Sequence, residues 1–89
     1  TMDDMDIIEP NEAFATPCLS FANALGYAYD DPRVNPTGGA IALGHPIGAT
    51  GVLYFGEMVR HLKRINGKYG VQMLCGGGGL GIAAVVQAV

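Results

Sequence analysis

Gly38-Gly39-Ala40-Ile41-Ala42-Leu43-Gly44-His45-Pro46-Ile47-Gly48-Ala49-Thr50-Gly51 decides the reading of this chain. The stretch holds five glycines, one proline and one histidine, and it runs directly into an apolar segment with helical spacing. Glycine-rich backbone lets N–H groups and a lone side chain approach a ligand without Cβ interference. Pro46 has no N–H to donate, and its φ already suits a first helical turn. Together these features predict His45 held at the mouth of a helix. Two polar residues frame it: Asn11 upstream, in Asn11-Glu12-Ala13-Phe14-Ala15, and Cys75 downstream, in Cys75-Gly76-Gly77-Gly78-Gly79. An asparagine, a histidine and a cysteine, each on or beside a tight turn, are residue types that acyl transfer uses.

Size sets the frame around this stretch. Eighty-nine residues allow one domain, and one so small buries its own core only marginally. Nearly half of them are apolar, with 15% charged, no tryptophan and a mean hydropathy of +0.28. That composition suits part of a larger α/β protein. The chain also opens on Thr1, which predicts a piece of a longer polypeptide. A net charge of −3 argues against nucleic acid as a partner, because such binders are basic. The basic run Arg60-His61-Leu62-Lys63-Arg64 closes a predicted helix, where positive charge complements the dipole. Cys18 and Cys75 are far apart and outside any CxxC pair, so neither a disulfide framework nor a metal site is expected. A reducing compartment follows, the cytoplasm first, with mitochondria and peroxisomes as alternatives. The apolar run at residues 80–86 is far shorter than the roughly 20 residues of a membrane span.

Along the chain, residues 5–9 alternate weakly and stop at Pro10, which predicts a short strand leading into a loop. Phe14, Cys18, Phe21, Ala22 and Leu25 recur at helical intervals, with Gly26 as the cap. Pro17 fits this helix if Thr16 is its N-cap, leaving residues 11–15 as a turn or distorted first turn. Residues 26–44 are rich in turn formers and read as a long functional connection. A second helix is predicted from Pro46 to Ile65, ending at Gly67. Its stripe is Ile47, Gly51, Tyr54, Met58, Leu62 and Ile65, widened by Val52, Phe55 and Val59. Residues 69–74 and 80–89 read as adjacent strands around the four-glycine turn. The resulting order is β-α-loop-α-β-β, an α/β fold with a mixed sheet packed against helices.

The chemistry sorts by context. His45 lies between Gly44 and Pro46 rather than on an apolar face, whereas His61 sits late on a helix and reads as structural. Cys75 closes a strand beside four glycines, whose N–H groups favour a thiolate or an oxyanion. Cys18 lies on an apolar stripe and reads as core. Gly76, Gly78 and Gly81 match GxGxxG, but a strand follows instead of the helix and acidic residue of a dinucleotide site. The loop at residues 44–51 lacks the lysine of a phosphate-binding loop.

The segments Asn11-Glu12-Ala13-Phe14, Gly44-His45-Pro46 and Cys75-Gly76-Gly77-Gly78, in this order, resemble the three C-terminal signatures of the thiolases. The resemblance covers nearly the whole chain, so residues 1–89 are expected to be the C-terminal part of the thiolase C-terminal domain. It implies the thiolase fold and an acyltransferase of fatty acid metabolism that makes or breaks the carbon–carbon bond of 3-ketoacyl-CoA thioesters. By the same resemblance His45 would deprotonate a nucleophilic cysteine and polarise the thioester oxygen. Asn11 would hold a water of the first oxyanion site. Cys75 would serve as acid and base at Cα of the second acyl group, with the N–H of Gly77 in the second oxyanion site. Coenzyme A thioesters would be substrates, with no separate cofactor and no metal. Partners would be acyl-CoA, the remainder of the thiolase polypeptide and further copies, as a homodimer or tetramer.

The nucleophilic cysteine of the family falls outside these residues, and Cys18 is not in its motif. This piece alone is therefore expected to be inactive. Asn35-Pro36-Thr37-Gly38-Gly39 departs from the commoner Asn-Val-Asn-Gly-Gly form and is similar to the lipid-transfer and trifunctional branches, while Ala40-Ile41-Ala42-Leu43 is similar to ordinary acetyl-CoA thiolases. Acyl chain length thus stays open. The alternative function is a non-catalytic thiolase-like module that binds lipid or acyl-CoA, or acts as a scaffold.

Overall fold

A computed structural model describes residues 1–89. Its elements are β1 (Ile7–Pro10), α1 (Ala15–Leu25), α2 (Ala40–Leu43), α3 (Thr50–Ile65), β2 (Tyr69–Gly76) and β3 (Leu80–Gln87). The sheet has the order β1-β2-β3, with β1 and β2 parallel and β2 and β3 antiparallel. This is the expected mixed-sheet α/β fold.

The weak alternation of the first strand has a physical cause. All four residues of β1 are buried, because the strand is covered on both faces. Ile7 packs with Met58 and Leu62 of α3 on one side. Ile8 packs with Val71 and Met73 on the other, where Phe21 of α1 closes the cluster. The strand starts later than residue 5 because Asp6 caps the ladder: its Oδ2 accepts the N–H groups of Lys68 (2.6 Å) and Tyr69 (2.9 Å).

Helix α1 begins two residues earlier than an N-cap at Thr16 would allow, with Phe14 as its N-cap. Pro17 is accommodated because the first N–H groups of a helix have no intrahelical partner. Gly26 ends the helix as expected, in the left-handed region at φ 76°. Of the predicted stripe only Ala22 is buried, and Phe14 is exposed.

Residues 26–44 are not only turns. They contain α2, too short to show a period, and an extended segment that docks on the free edge of β1. There Ile8 N–H donates to Arg33 O (2.9 Å) and Asn35 N–H to Ile8 O (3.0 Å). Arg33 ties this segment to the N-terminus, donating to Met2 O, Met5 O and the Asp31 carboxylate. That guanidinium holds Asp31 down to about 2.

Helix α3 starts at Thr50, not Pro46. The Pro46 carbonyl accepts the N–H groups of Ala49 (2.8 Å) and Thr50 (2.9 Å), which makes residues 46–49 a separate turn. Ile47, outside the helix, is 85% exposed, and Val52, on the outer face, is 78% exposed. The buried stripe is Thr50, Tyr54, Met58 and Leu62. Asn66, at φ 55°, takes the left-handed cap position that the sequence suggested for Gly67. The helix can sit on β2 because Gly70 has no side chain: a Cβ there would lie 2.7 Å from Met58 Sδ. Residues of β3 are mostly exposed, Leu80, Ile82 and Val85 among them. No helix is long and apolar enough to cross a membrane.

Candidate functional site

The site lies at the carboxyl ends of the two parallel strands, the end where open α/β sheets bind ligands. Asn11 follows β1 directly, its N–H donating to Met73 O at 2.7 Å. Cys75 is the next-to-last residue of β2. His45 is on the loop that enters α3, and the first turn of α3 is tied to β2 by Gln72 Nε2 donating to Gly51 O at 3.3 Å. All three residues therefore share one end of the sheet.

His45 is held by one short bond. Its Nδ1 lies 2.7 Å from Thr50 Oγ1, and Thr50 Oγ1 lies 2.9 Å from Pro46 O. A hydroxyl has one proton, and both Pro46 O and His45 Nδ1 are within its reach. With that proton on Pro46 O, the Thr50 oxygen faces Nδ1 with lone pairs, Nδ1 carries the ring proton and Nε2 keeps a free lone pair. Tyr54 fixes the same loop from below, its hydroxyl donating to Gly44 O at 2.6 Å. The imidazole itself is exposed.

Glu12, read from sequence as an ordinary turn residue, is a clamp. Its carboxylate accepts from Asn35 Nδ2 at 2.8 Å and from the N–H of Ile41 at 3.0 Å. Asn35 Nδ2 also donates to Pro10 O. The loop before His45 is thereby fastened to the segment that carries Asn11. Gly39 is required at this clamp, since any Cβ would overlap the Glu12 carboxylate.

A cavity of about 10 Å³, room for one water, lies beneath these groups. Glu9, Asn11, Glu12, Thr50, Tyr54 and Gln72 are among its lining residues. Glu9 is 4% exposed and Asn11 7%. Glu9 Oε2 and both polar atoms of the Asn11 amide have no protein partner. Burial first, and then the nearby charge of Glu57, pushes the Glu9 carboxyl up to about 7.

Asn11 and Thr50, the residue that holds His45, line this cavity, while neither His45 nor Cys75 is among its lining residues. Met73 and Cys75 alternate with Gln72 and Leu74 along β2, so Cys75 belongs to the side of α1. Cys75 is exposed, and the Cys18 thiol on α1 is pushed up by burial first, then by Glu12 and Cys75. Cys18 is half-buried, its Sγ 3.8 Å from Asn11 O. Gly77 opens the turn between β2 and β3 and is exposed. Sequence reading missed Glu9, Thr50 and Gln72. A carboxylate inside an apolar strand and a threonine one turn before Tyr54 were the available signals.

Comparison with known proteins gives this chain its family. The family model for the C-terminal domain of thiolases matches residues 1–88. The chain belongs to the thiolase family and matches its C-terminal domain. It is 49% identical to a β-ketoadipyl-CoA thiolase of Acinetobacter baylyi, over 100% of this chain and 22% of that protein. It is 45% identical to a steroid 3-ketoacyl-CoA thiolase of Mycobacterium tuberculosis, over 97% of this chain and 21% of that one. The crystal structure of human mitochondrial 3-ketoacyl-CoA thiolase, also solved in complex with CoA, superposes with a TM-score of 0.92 at 44% identity. That match covers 100% of this chain and 22% of the human one. The chain thus spans about a fifth of the length of the curated relatives it matches.

Proposed function

We propose that residues 1–89 form the C-terminal part of a thiolase and supply the base, the oxyanion water site and the second acid/base of its reaction. The observation that carries this reading is the His45–Thr50–Pro46 chain of bonds, which holds Nδ1 of an exposed imidazole and leaves Nε2 free to act as the base. In the first step a cysteine from the remainder of the polypeptide attacks the acyl-CoA carbonyl carbon. Its proton goes to His45 Nε2, the carbonyl–sulfur bond to coenzyme A breaks, and the departing thiolate takes that proton back. In the second step Cys75, as thiolate, removes a proton from Cα of acetyl-CoA. The enolate attacks the acyl-enzyme carbonyl, a carbon–carbon bond forms, and the nucleophilic cysteine leaves as thiolate. Thiolysis is the same path reversed. Asn11, through a water, and the N–H of Gly77 stabilise the two developing oxyanions.

Substrates under this reading are coenzyme A thioesters, with no further cofactor. The exposed apolar side chains of β3 meet the remainder of the polypeptide, and the whole protein assembles as a homodimer or tetramer. The experiment is to compare residues 1–89 alone with a whole thiolase polypeptide carrying them, using acetoacetyl-CoA and coenzyme A. The piece alone is silent and the whole polypeptide turns over. A whole polypeptide that binds acyl-CoA without turnover contradicts the enzyme reading and supports the binding module instead.

A further inference from the structure

Two orphaned polar groups occupy the cavity beneath the site. Glu9 and Asn11 are two residues apart on extended backbone, which places their side chains on one face. Both are more than nine-tenths buried, and Glu9 Oε2, Asn11 Nδ2 and Asn11 Oδ1 lack protein partners. Buried polar atoms in folded proteins are nearly always hydrogen-bonded, to protein or to water. The cavity that both residues line has room for one water.

We infer that Glu9 is a positioning residue: its carboxyl group, through one water in this cavity, fixes which end of the Asn11 amide faces the reaction site. The inference rests on the thiolase reading of Asn11. The charged and titratable groups around Glu9 are Glu57 and Tyr54 from α3, Glu12 from the loop after β1, and His45 behind Thr50; the neighbouring residue on β2 is the neutral Gln72. No cation faces it. Burial and the charge of Glu57 favour the protonated carboxyl below about pH 7, where it donates to the cavity water. That water donates in turn to Oδ1, the accepting atom of the Asn11 amide. With Oδ1 turned toward Glu9, the amide N–H₂ points away from Glu9, to the side on which the thiolase reading puts the oxyanion water. An ionised Glu9 would draw the N–H₂ inward instead and present the wrong end to that water.

The test uses a whole thiolase polypeptide carrying residues 1–89, with Glu9→Gln, Glu9→Leu, Asn11→Ala and the Glu9→Leu/Asn11→Ala double variant. Gln keeps an N–H donor in place and retains most of kcat. Leu removes the donor and lowers kcat by about tenfold, the scale of one lost hydrogen bond in a buried site, with KM little changed. In the Asn11→Ala background Glu9→Leu has no further effect, because both act through one group. Additive losses, or equal losses in Gln and Leu, overturn the inference. Unchanged activity in Asn11→Ala overturns the thiolase role of Asn11 itself, a separate failure. If Glu9→Leu does not fold, infrared difference spectra of Glu9→Gln against the parent decide. A protonated-carboxyl C=O band at about pH 6, lost in the variant, supports the donor role. Absence of that band in the parent overturns it.

Discussion

His45 Nδ1 and Thr50 Oγ1 are 2.7 Å apart, and the same Thr50 oxygen lies 2.9 Å from Pro46 O. This threonine begins α3 and is 1% exposed, so one side chain both starts the helix and holds the imidazole. Packing of Tyr54, Met58 and Leu62 against the sheet is thereby transmitted to the imidazole.

Thr50→Val keeps the shape and removes the hydroxyl that Nδ1 bonds. In a whole thiolase polypeptide the nucleophilic cysteine should be alkylated more slowly by iodoacetamide, and kcat should fall by about tenfold, the scale of one hydrogen bond. Thr50→Ser restores the hydroxyl and should restore both readouts. Equal behaviour of Val and Ser would show that Thr50 serves packing alone.

Glu9 makes stability depend on pH. Its carboxyl titrates near 4.5 when unfolded and at about 7 when folded, so the folded chain binds more protons between those values. Stability therefore falls as pH rises through this window, and the loss is complete above the folded value. The interval corresponds to about 3 kcal/mol, at about 1.4 kcal/mol per pH unit. Urea unfolding of the whole polypeptide at about pH 5 and about pH 8 should show this slope, and Glu9→Gln should flatten it. An unchanged slope in the variant contradicts the burial of an unpaired carboxyl.

Gly70 lets α3 rest on β2. A Cβ would stand 2.7 Å from Met58 Sδ and 3.2 Å from Leu62 Cδ1, and the fully buried Met58 would have to shift within the core to admit it. Gly70→Ala should destabilise by about 1–3 kcal/mol, the cost of overpacking a dense core. Thermal melting checks it, and an unchanged midpoint would mean a looser packing of helix on sheet.

The motifs were readable because chemistry concentrates glycine, proline and one reactive residue in short runs. Gly44-His45-Pro46 and Cys75-Gly76 stood out for that reason, as did the periodic Tyr54, Met58 and Leu62. Other features depend on partners distant in sequence. Nothing local says that Glu12 reaches Asn35 and Ile41, or that residues 46–49 close a separate turn before the helix starts at Thr50. Four residues of α2 cannot show a helical period. Glu9 looked like the polar half of an alternating strand, and it is the cover of α3 over that face of the sheet that buries it.

The most direct measurement separates the two steps of the reaction at Cys75. In a whole thiolase polypeptide carrying Cys75→Ser, radiolabelled acetyl-CoA reports acyl-enzyme formation and a second assay reports condensation. Serine has nearly the shape of cysteine but is a far weaker acid, so proton transfer at Cα suffers while the nucleophile and His45 are untouched. Labelling should persist while condensation falls by about 10²-fold or more, the usual scale of general acid–base catalysis. Equal loss of both steps would contradict the account, showing that Cys75 maintains the structure or is itself acylated.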